Sequence, residues 1–577
     1  MRSILLLSLL SLAACDRAND TGEVPYDPTG WPLGEIQAVE GKGILAVLDT
    51  PQGPIQVLRV RGTHAEMGRQ MGVLIGPQVP PMWDTFMEAL TAEMDMPIEV
   101  AEGSYAPLMG DVWDRMVPTI PQPWLDLSAA MQEAAAWDKD VCYPCRVVGI
   151  SNVSDLNFED EIQGLLTIND GTSEQLDDYY AEGEDAAAMP RPHGADPVPN
   201  PFASCSFFGA WGERTQDGHY LGSRNLDWNA DTGIGPLRLL TIYVPEGDGA
   251  GHPFATLGYT GMIGALAGIS SAGLAVSEVG STGVLERLLG EPWVLRNMDI
   301  LEHAQDLDAA LAYHTNQAPD GFHRPQTIGY NFGVGYGDPA GGGAAAEGAV
   351  VEANGAMVSI FRGGAGGGAE VHWFDVDGVH ERSAVLGDGG VNAEADAVEI
   401  DAAGQARTFA YAEGAFVQDA HGNYVEDPEG LPMPTGQPLA QALFRGDEAM
   451  SHANRRFQMA AHGPQDGDGL MVTSGSYRDR YTPSHDMLQA WAAGTAYEDD
   501  GEVLIPDNGG IPVPIGLEEG VTLTSHVAMG SNILSVVYDA TSLEIMFSYE
   551  QGTGETWEPA SAQEYAYVDL KPAFEFE

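Results

Sequence analysis

Cys205, Arg224 and Asp227 fall within one stretch, CSFFGAWGERTQDGHYLGSRNLDW, which runs from Cys205 to Trp228. A thiol becomes a strong nucleophile only as thiolate, so it needs a base or a cation beside it. The stretch supplies a guanidinium and a carboxylate. Two strand-like runs flank Thr215-Gln216-Asp217-Gly218, and this pattern predicts a β-hairpin. Such a hairpin sets Cys205, at the start of one arm, against Arg224 and Asp227, at the end of the other. No Cys-His signature surrounds Cys205, and His219 lies across the turn. A second base is available if the chain is cut between Ser204 and Cys205. The freed α-amine has a reference pKa of ~8 and can take the proton from its own thiol.

The residues before Cys205 suit such a cut. Positions 171–204 carry Glu174, Asp177, Asp178, Glu182, Glu184 and Asp185, then Pro190, Pro192, Pro197, Pro199 and Pro201. This composition predicts an exposed acidic loop, or simply a linker between domains. Of the 4 cysteines, Cys142 and Cys145 are close enough to form a small-loop disulfide in an exported protein. A thioredoxin-like use of that pair lacks a surrounding βαβ pattern. With Cys15 at the end of the N-terminal signal described next, Cys205 is left as the odd thiol.

Export is expected from MRSILLLSLLSLAAC: Arg2 is the charged start, Ile4–Leu12 the apolar core, and small residues precede Cys15. The apolar run is too short to span a membrane. Across 577 residues the formal charge is −60, with 85 acids against 25 basic side chains. That balance argues against nucleic acid as a partner, since phosphate contacts need Lys and Arg.

The supporting elements follow from pattern. Residues 16–40 read as a polar tether. Residues 41–170 read as a mostly helical segment that opens with the strand-like runs Ile44–Leu48 and Ile55–Val60. Thr63 with Glu66 is a capping box that starts a helix. From Cys205 to the end, strands are expected at Leu237–Val244, Phe254–Tyr259, Gly273–Val279, Tyr330–Val334, Ala349–Glu352 and Met357–Phe361. Glu291–Thr315 has helical periodicity, 376–446 reads as an acidic insertion, and Asn532–Tyr538 with Leu543–Tyr549 reads as a closing hairpin. Strands, then helices, then strands again predict a layered α+β fold. Glu278 and Glu352 stand in apolar strands as buried acids of unassigned role.

Cys205-Ser206-Phe207 followed by Gly222-Ser223-Arg224-Asn225-Leu226-Asp227-Trp228 resembles the N-terminal-nucleophile hydrolases. The likeness is nearest to the penicillin acyltransferase family (acyl-coenzyme A:6-aminopenicillanate acyltransferase-like). Arg61–Gly72, Gly268–Val276, Ser451–Arg455 and Ser474–Arg478 resemble further parts of that family. The resemblance implies a four-layer αββα sandwich and self-cleavage between Ser204 and Cys205. It implies that Arg224 and Asp227 orient the new amine and the thiol. Asn454, within a run that departs from the family's Thr-Asn-His, matches the donor to the oxyanion, and Arg478 matches a pocket residue. The residues before Cys15 resemble a lipobox, which implies a lipid anchor as the chain's membrane contact. A small amide or acyl compound is the implied substrate, and no cofactor is implied. The leading expectation is a self-processing cysteine amidohydrolase or acyltransferase acting on carbon–nitrogen bonds. The alternatives are an unprocessed, lipid-anchored binding protein on the same fold, and a thiol–disulfide protein using Cys142 and Cys145.

Overall fold

The computed structural model describes residues 26–93, 116–138, 205–228, 231–281, 290–315, 329–355, 482–499 and 501–577 as continuous stretches, with shorter pieces between them. Two large sheets carry the structure. The first has eleven strands. In spatial order they are Glu35–Glu40, Gly43–Leu48, Ile55–Gly62, Arg238–Pro245, Phe254–Tyr259, Ala267–Ser270, Leu274–Gly280, Tyr330–Tyr336, Glu347–Ala353, Met357–Arg362 and Glu370–Trp373. Its neighbours pair antiparallel except Ile55–Gly62 with Arg238–Pro245, which run parallel. The second sheet has six strands: Ala442–Arg445, Phe207–Ala210, Leu221–Asp227, Asn532–Asp539, Glu544–Tyr549 and Ala566–Asp569.

The alternation of side chains places the two cores. Along Arg238–Pro245, Leu239 and Tyr243 face one core while Leu240, Ile242 and Val244 face the other. Leu58 and Val60 divide from Ile55 and Val57 in the same way. A strand buried on both faces reads as a nearly continuous apolar run. The first core lies between the eleven-stranded sheet and the helices His64–Leu74, Gln122–Ala134, Trp293–His303 and Leu307–His314. The second fills the space between the sheets and reaches the helices Thr482–Ala493 and Leu517–Val527 beyond the smaller sheet. The order is helix, sheet, sheet, helix, an α+β sandwich of four layers.

The helix His64–Leu74 begins as its sequence predicts. The Thr63 side chain accepts from the Glu66 amide, and the Glu66 carboxylate accepts from the Thr63 amide. The helix crosses Gln122–Ala134 so closely that a methyl group on Gly68 would stand 2.1 Å from the carbonyl oxygen of Leu127. In an open helix, alanine is better than glycine by up to about 1 kcal/mol. Here the clash reverses the sign. Gly68→Ala is expected to lower stability by about 1–3 kcal/mol, as overpacking does, read from the urea midpoint. A raised midpoint would show that the two helices can separate freely.

Several boundaries differ from those the sequence suggests. Glu35–Glu40 is a strand, within the stretch read as a tether. It is an edge strand with no fully buried side chain, and its short apolar set, Ile36, Ala38 and Val39, is a weak signal. Glu291–Thr315 is two helices, because Asp306 caps a new one by accepting from the Ala309 amide. Ala442–Arg445, inside the range read as an insertion, pairs with Phe207–Ala210 and belongs to the smaller sheet.

Candidate active site

The hairpin of Cys205 is seated by rings pressed into glycines. Phe207–Ala210 and Leu221–Asp227 pair antiparallel, extended by a bridge between Ser206 and Asn225. Asp217, at φ 57°, and Gly218, at φ 78°, turn the chain between them. Phe207 and Tyr220 lie over the Tyr330–Tyr336 strand of the facing sheet. A methyl group on Gly333 would stand 2.8 Å from Phe207, and one on Gly335 would stand 1.8 Å from Tyr220. A larger residue at either position would push the hairpin that carries Cys205 away from the sheet. Glycine at these two positions therefore sets the depth at which Cys205 sits.

Cys205 is in no disulfide and is buried. The Arg224 guanidinium is directed at its sulfur, with Nη2 3.7 Å from Sγ. Arg224 is held from behind by Glu278. Its Nη2 donates to Glu278 Oε2 at 3.1 Å, and its Nε donates to the Glu278 carbonyl at 2.9 Å. Burial alone pulls the Arg224 pKa down. Cys205 as thiolate, together with Glu278 and Asp227, outweighs it and holds the pKa above the usual arginine value. The guanidinium thus stays charged at every working pH and favours thiolate at Cys205.

Asp227 reaches Cys205 through a second arginine. Arg480 Nη2 is 3.4 Å from Asp227 Oδ2, and Arg480 Nη1 donates to the carbonyl oxygen of Cys205. Asn532 Nδ2 donates to Asp227 Oδ1 at 2.8 Å. Both arginines and both acids, Glu278 and Asp227, are buried. Among the described residues these four charges cancel around Cys205, as buried charges must if they are to be tolerated. A serine–asparagine chain continues the cluster. Asn225 Nδ2 donates to Ser206 Oγ at 3.0 Å, and Ser535 Oγ donates to Asn225 Oδ1 at 2.6 Å.

The sequence-predicted residues therefore divide. Cys205, Arg224 and Asp227 come together. Ser204, Asn454, Arg478 and Cys15 lie outside the described residues. The described arginine on the Cys205 carbonyl is Arg480, two positions beyond Arg478 in Arg478-Asp479-Arg480, where spacing alone does not choose between them. Cys142 and Cys145 are joined as a disulfide, beside the first core rather than in this cluster. Glu278 was visible as an acid in an apolar strand, but its partner was not. Asn532 carried no signal beyond its place at the start of the closing hairpin.

No protein-family model matches the chain. Two curated proteins of Dictyostelium discoideum are similar over part of it. Protein dcd1B is 31% identical over 143 residues, covering 23% of this chain and 25% of that protein. Protein dcd1A is 36% identical over 120 residues, covering 19% of this chain and 26% of that protein. The chain thus matches about a quarter of the length of these relatives. Solved structures with a similar outline include the Caenorhabditis elegans ortholog of N-acylethanolamine-hydrolyzing acid amidase, at 12% identity and a TM-score of 0.28, covering 58% of this chain and 93% of that one. A variant of the conjugated bile acid hydrolase of Clostridium perfringens matches at 12% identity and a TM-score of 0.27, over 63% of this chain and 92% of its own. The penicillin V acylase of Agrobacterium tumefaciens matches at 12% identity and a TM-score of 0.27, over 64% and 86%.

Proposed function

We propose that the chain is a cysteine amidohydrolase or acyltransferase that cuts itself between Ser204 and Cys205 and then acts on amide bonds of small molecules. One observation carries the reading. The one cysteine outside a disulfide among the described residues stands at the head of a strand, under Arg224, with Asp227 linked to it through Arg480. Hydrolysis of the Ser204–Cys205 peptide bond consumes one water, leaves a carboxylate on Ser204 and frees the α-amine of Cys205. That amine takes the thiol proton, and the thiolate adds to the substrate's acyl carbonyl. As the tetrahedral adduct collapses, the carbon–nitrogen bond breaks and the ammonium returns its proton to the leaving amine. Water, or a second amine, then attacks the thioester and releases the acyl group. Ammonium and thiolate together add no net charge to a cluster that is already balanced.

Asn454, as the family resemblance implies, is the proposed donor to the oxyanion. One such donor is worth about 2.7–4 kcal/mol of barrier. The segment ending at Cys15 is proposed to export the chain and tether it by lipid.

The test is to trap the acyl group. Native protein is mixed with a series of acyl anilides, quenched in acid and weighed by intact mass spectrometry. A mass gain equal to one acyl group, on a fragment whose first residue is Cys205, is the expected result. No gain with any member of the series, on a chain that remains uncut, would leave the unprocessed binding protein as the better reading.

A further inference from the structure

We infer that Asn532 is a positioning residue for Asp227, holding its carboxylate from the side opposite Arg480. This rests on the reading of Cys205 and Asp227 as parts of the reaction centre. Asn532 is fully buried and stands at the first position of the strand Asn532–Asp539, which pairs with Leu221–Asp227. Regular pairing holds from Leu221 to Leu226, then slips, so that Asp227 lies opposite Asn532 with Ile533 left over. A bulge of this kind re-aims a side chain, and here it brings the Asn532 amide onto the carboxylate.

The orientation of that amide is fixed by its surroundings. Its nitrogen faces three acceptors: Asp227 Oδ1 at 2.8 Å, the Leu534 carbonyl at 3.2 Å and the Leu226 carbonyl at 3.4 Å. Its oxygen lies 2.9 Å from the Ser535 hydroxyl. Reversing the amide would set oxygen against three oxygens, so the N–H face is the one Asp227 meets. Arg480 approaches the other oxygen, Oδ2. The carboxylate is gripped at both ends, one grip charged and one neutral. A buried carboxylate held at one oxygen alone can turn about its Cβ–Cγ bond, and with it would turn Arg480 and the Cys205 carbonyl that Arg480 grips.

The neutral grip matters chemically. A donor to the charged form of a carboxylate favours that form. Losing it makes the carboxylate easier to protonate, so the acid limb of any rate that needs Asp227 ionised moves to higher pH. Asn532→Asp goes further, since it sets a second acid against the first. A residue that merely stabilises the fold would lower rates without moving that limb.

The experiment follows self-cleavage on denaturing gels, and turnover of the trapped acyl anilide, across pH for native protein, Asn532→Ala and Asn532→Asp. Val537→Ala, in the same strand, serves as a destabilised control. Asn532→Ala is expected to slow both rates by about tenfold or more, the worth of a hydrogen bond to a charged group, and to move the acid limb upward. Asn532→Asp is expected to move it further. The Val537→Ala limb is expected to stay in place. An unmoved limb in both Asn532 variants, with native protein active, overturns the positioning role alone. Native protein that neither cuts itself nor turns over the anilide overturns the underlying reading, and the positioning role with it.

Discussion

The Cys205→Ala chain is expected to run as one band on a denaturing gel where the native protein runs as two, the larger beginning at Cys205. The substitution removes the one atom, Sγ, that Arg224 faces at 3.7 Å. It leaves the hairpin, the buried ion pairs and the glycine–ring contacts in place. A buried cysteine behaves as a small hydrophobe, so alanine should fold. Loss of the nucleophile in a concerted site costs on the order of 10⁶-fold in rate, enough to make both cleavage and turnover undetectable. Cys205→Ser separates the two steps. It keeps a hydroxyl in place of the thiol but loses the readily formed thiolate, so it should cut slowly and turn over more slowly still. Two bands from the Cys205→Ala chain would mean that an outside protease makes the cut, and self-processing would be overturned while the amine remained available as base.

Glu278→Gln is expected to cost about 3–5 kcal/mol of stability, the usual penalty for stranding one member of a buried ion pair. The Arg224 and Glu278 side chains are 1% and 4% exposed, so little water is present to take over from the lost carboxylate. Glutamine has nearly the same volume, and no cavity is made. The bond from Arg224 Nε to the Glu278 carbonyl survives because it uses the backbone. What disappears is charge balance, leaving two cations against one acid. Denaturation of the variant in a Cys205→Ala background reads this cost without interference from cleavage. In the cutting-competent background the guanidinium should also swing from the sulfur, and the rate should fall with it. A midpoint shifted by less than about 1 kcal/mol would show that Arg224 has another counter-charge.

Much of the frame could be read from the sequence because its signals are local. Phe254–Tyr259 is bounded by turns and mostly apolar, and it forms a strand over those residues. The Thr63–Glu66 box spans one helical turn and caps as expected. The Cys205 hairpin is legible for the same reason: its two arms and its turn lie within one short stretch. The rest of the cluster depends on residues far apart in the chain. Arg224 and Glu278 are separated by 54 positions, Cys205 and Arg480 by 275, and Asp227 and Asn532 by 305. No periodicity links such pairs. Only the sheet order, in which the closing hairpin lies beside the arm carrying Asp227, brings Asn532 to the site. Glu278 could be noticed as an acid too costly to bury alone, but the sequence did not say which cation answered it.

The parallel pairing of Ile55–Gly62 with Arg238–Pro245 has a consequence for the product of the cut. Seven register pairs, from Gln56 with Leu239 to Gly62 with Pro245, join segments on opposite sides of Ser204–Cys205. At the far end of the chain, Arg59 and Arg61 both donate to the Phe576 carbonyl. On the proposed cleavage, the piece ahead of Cys205 would be no detachable propeptide. It would be one subunit of an interlaced heterodimer, whose partners were never separate molecules and would not readily find each other again if parted. The native mass should rise on cleavage by no more than the one water consumed, and unfolding should turn from reversible to irreversible at the moment the peptide bond is lost.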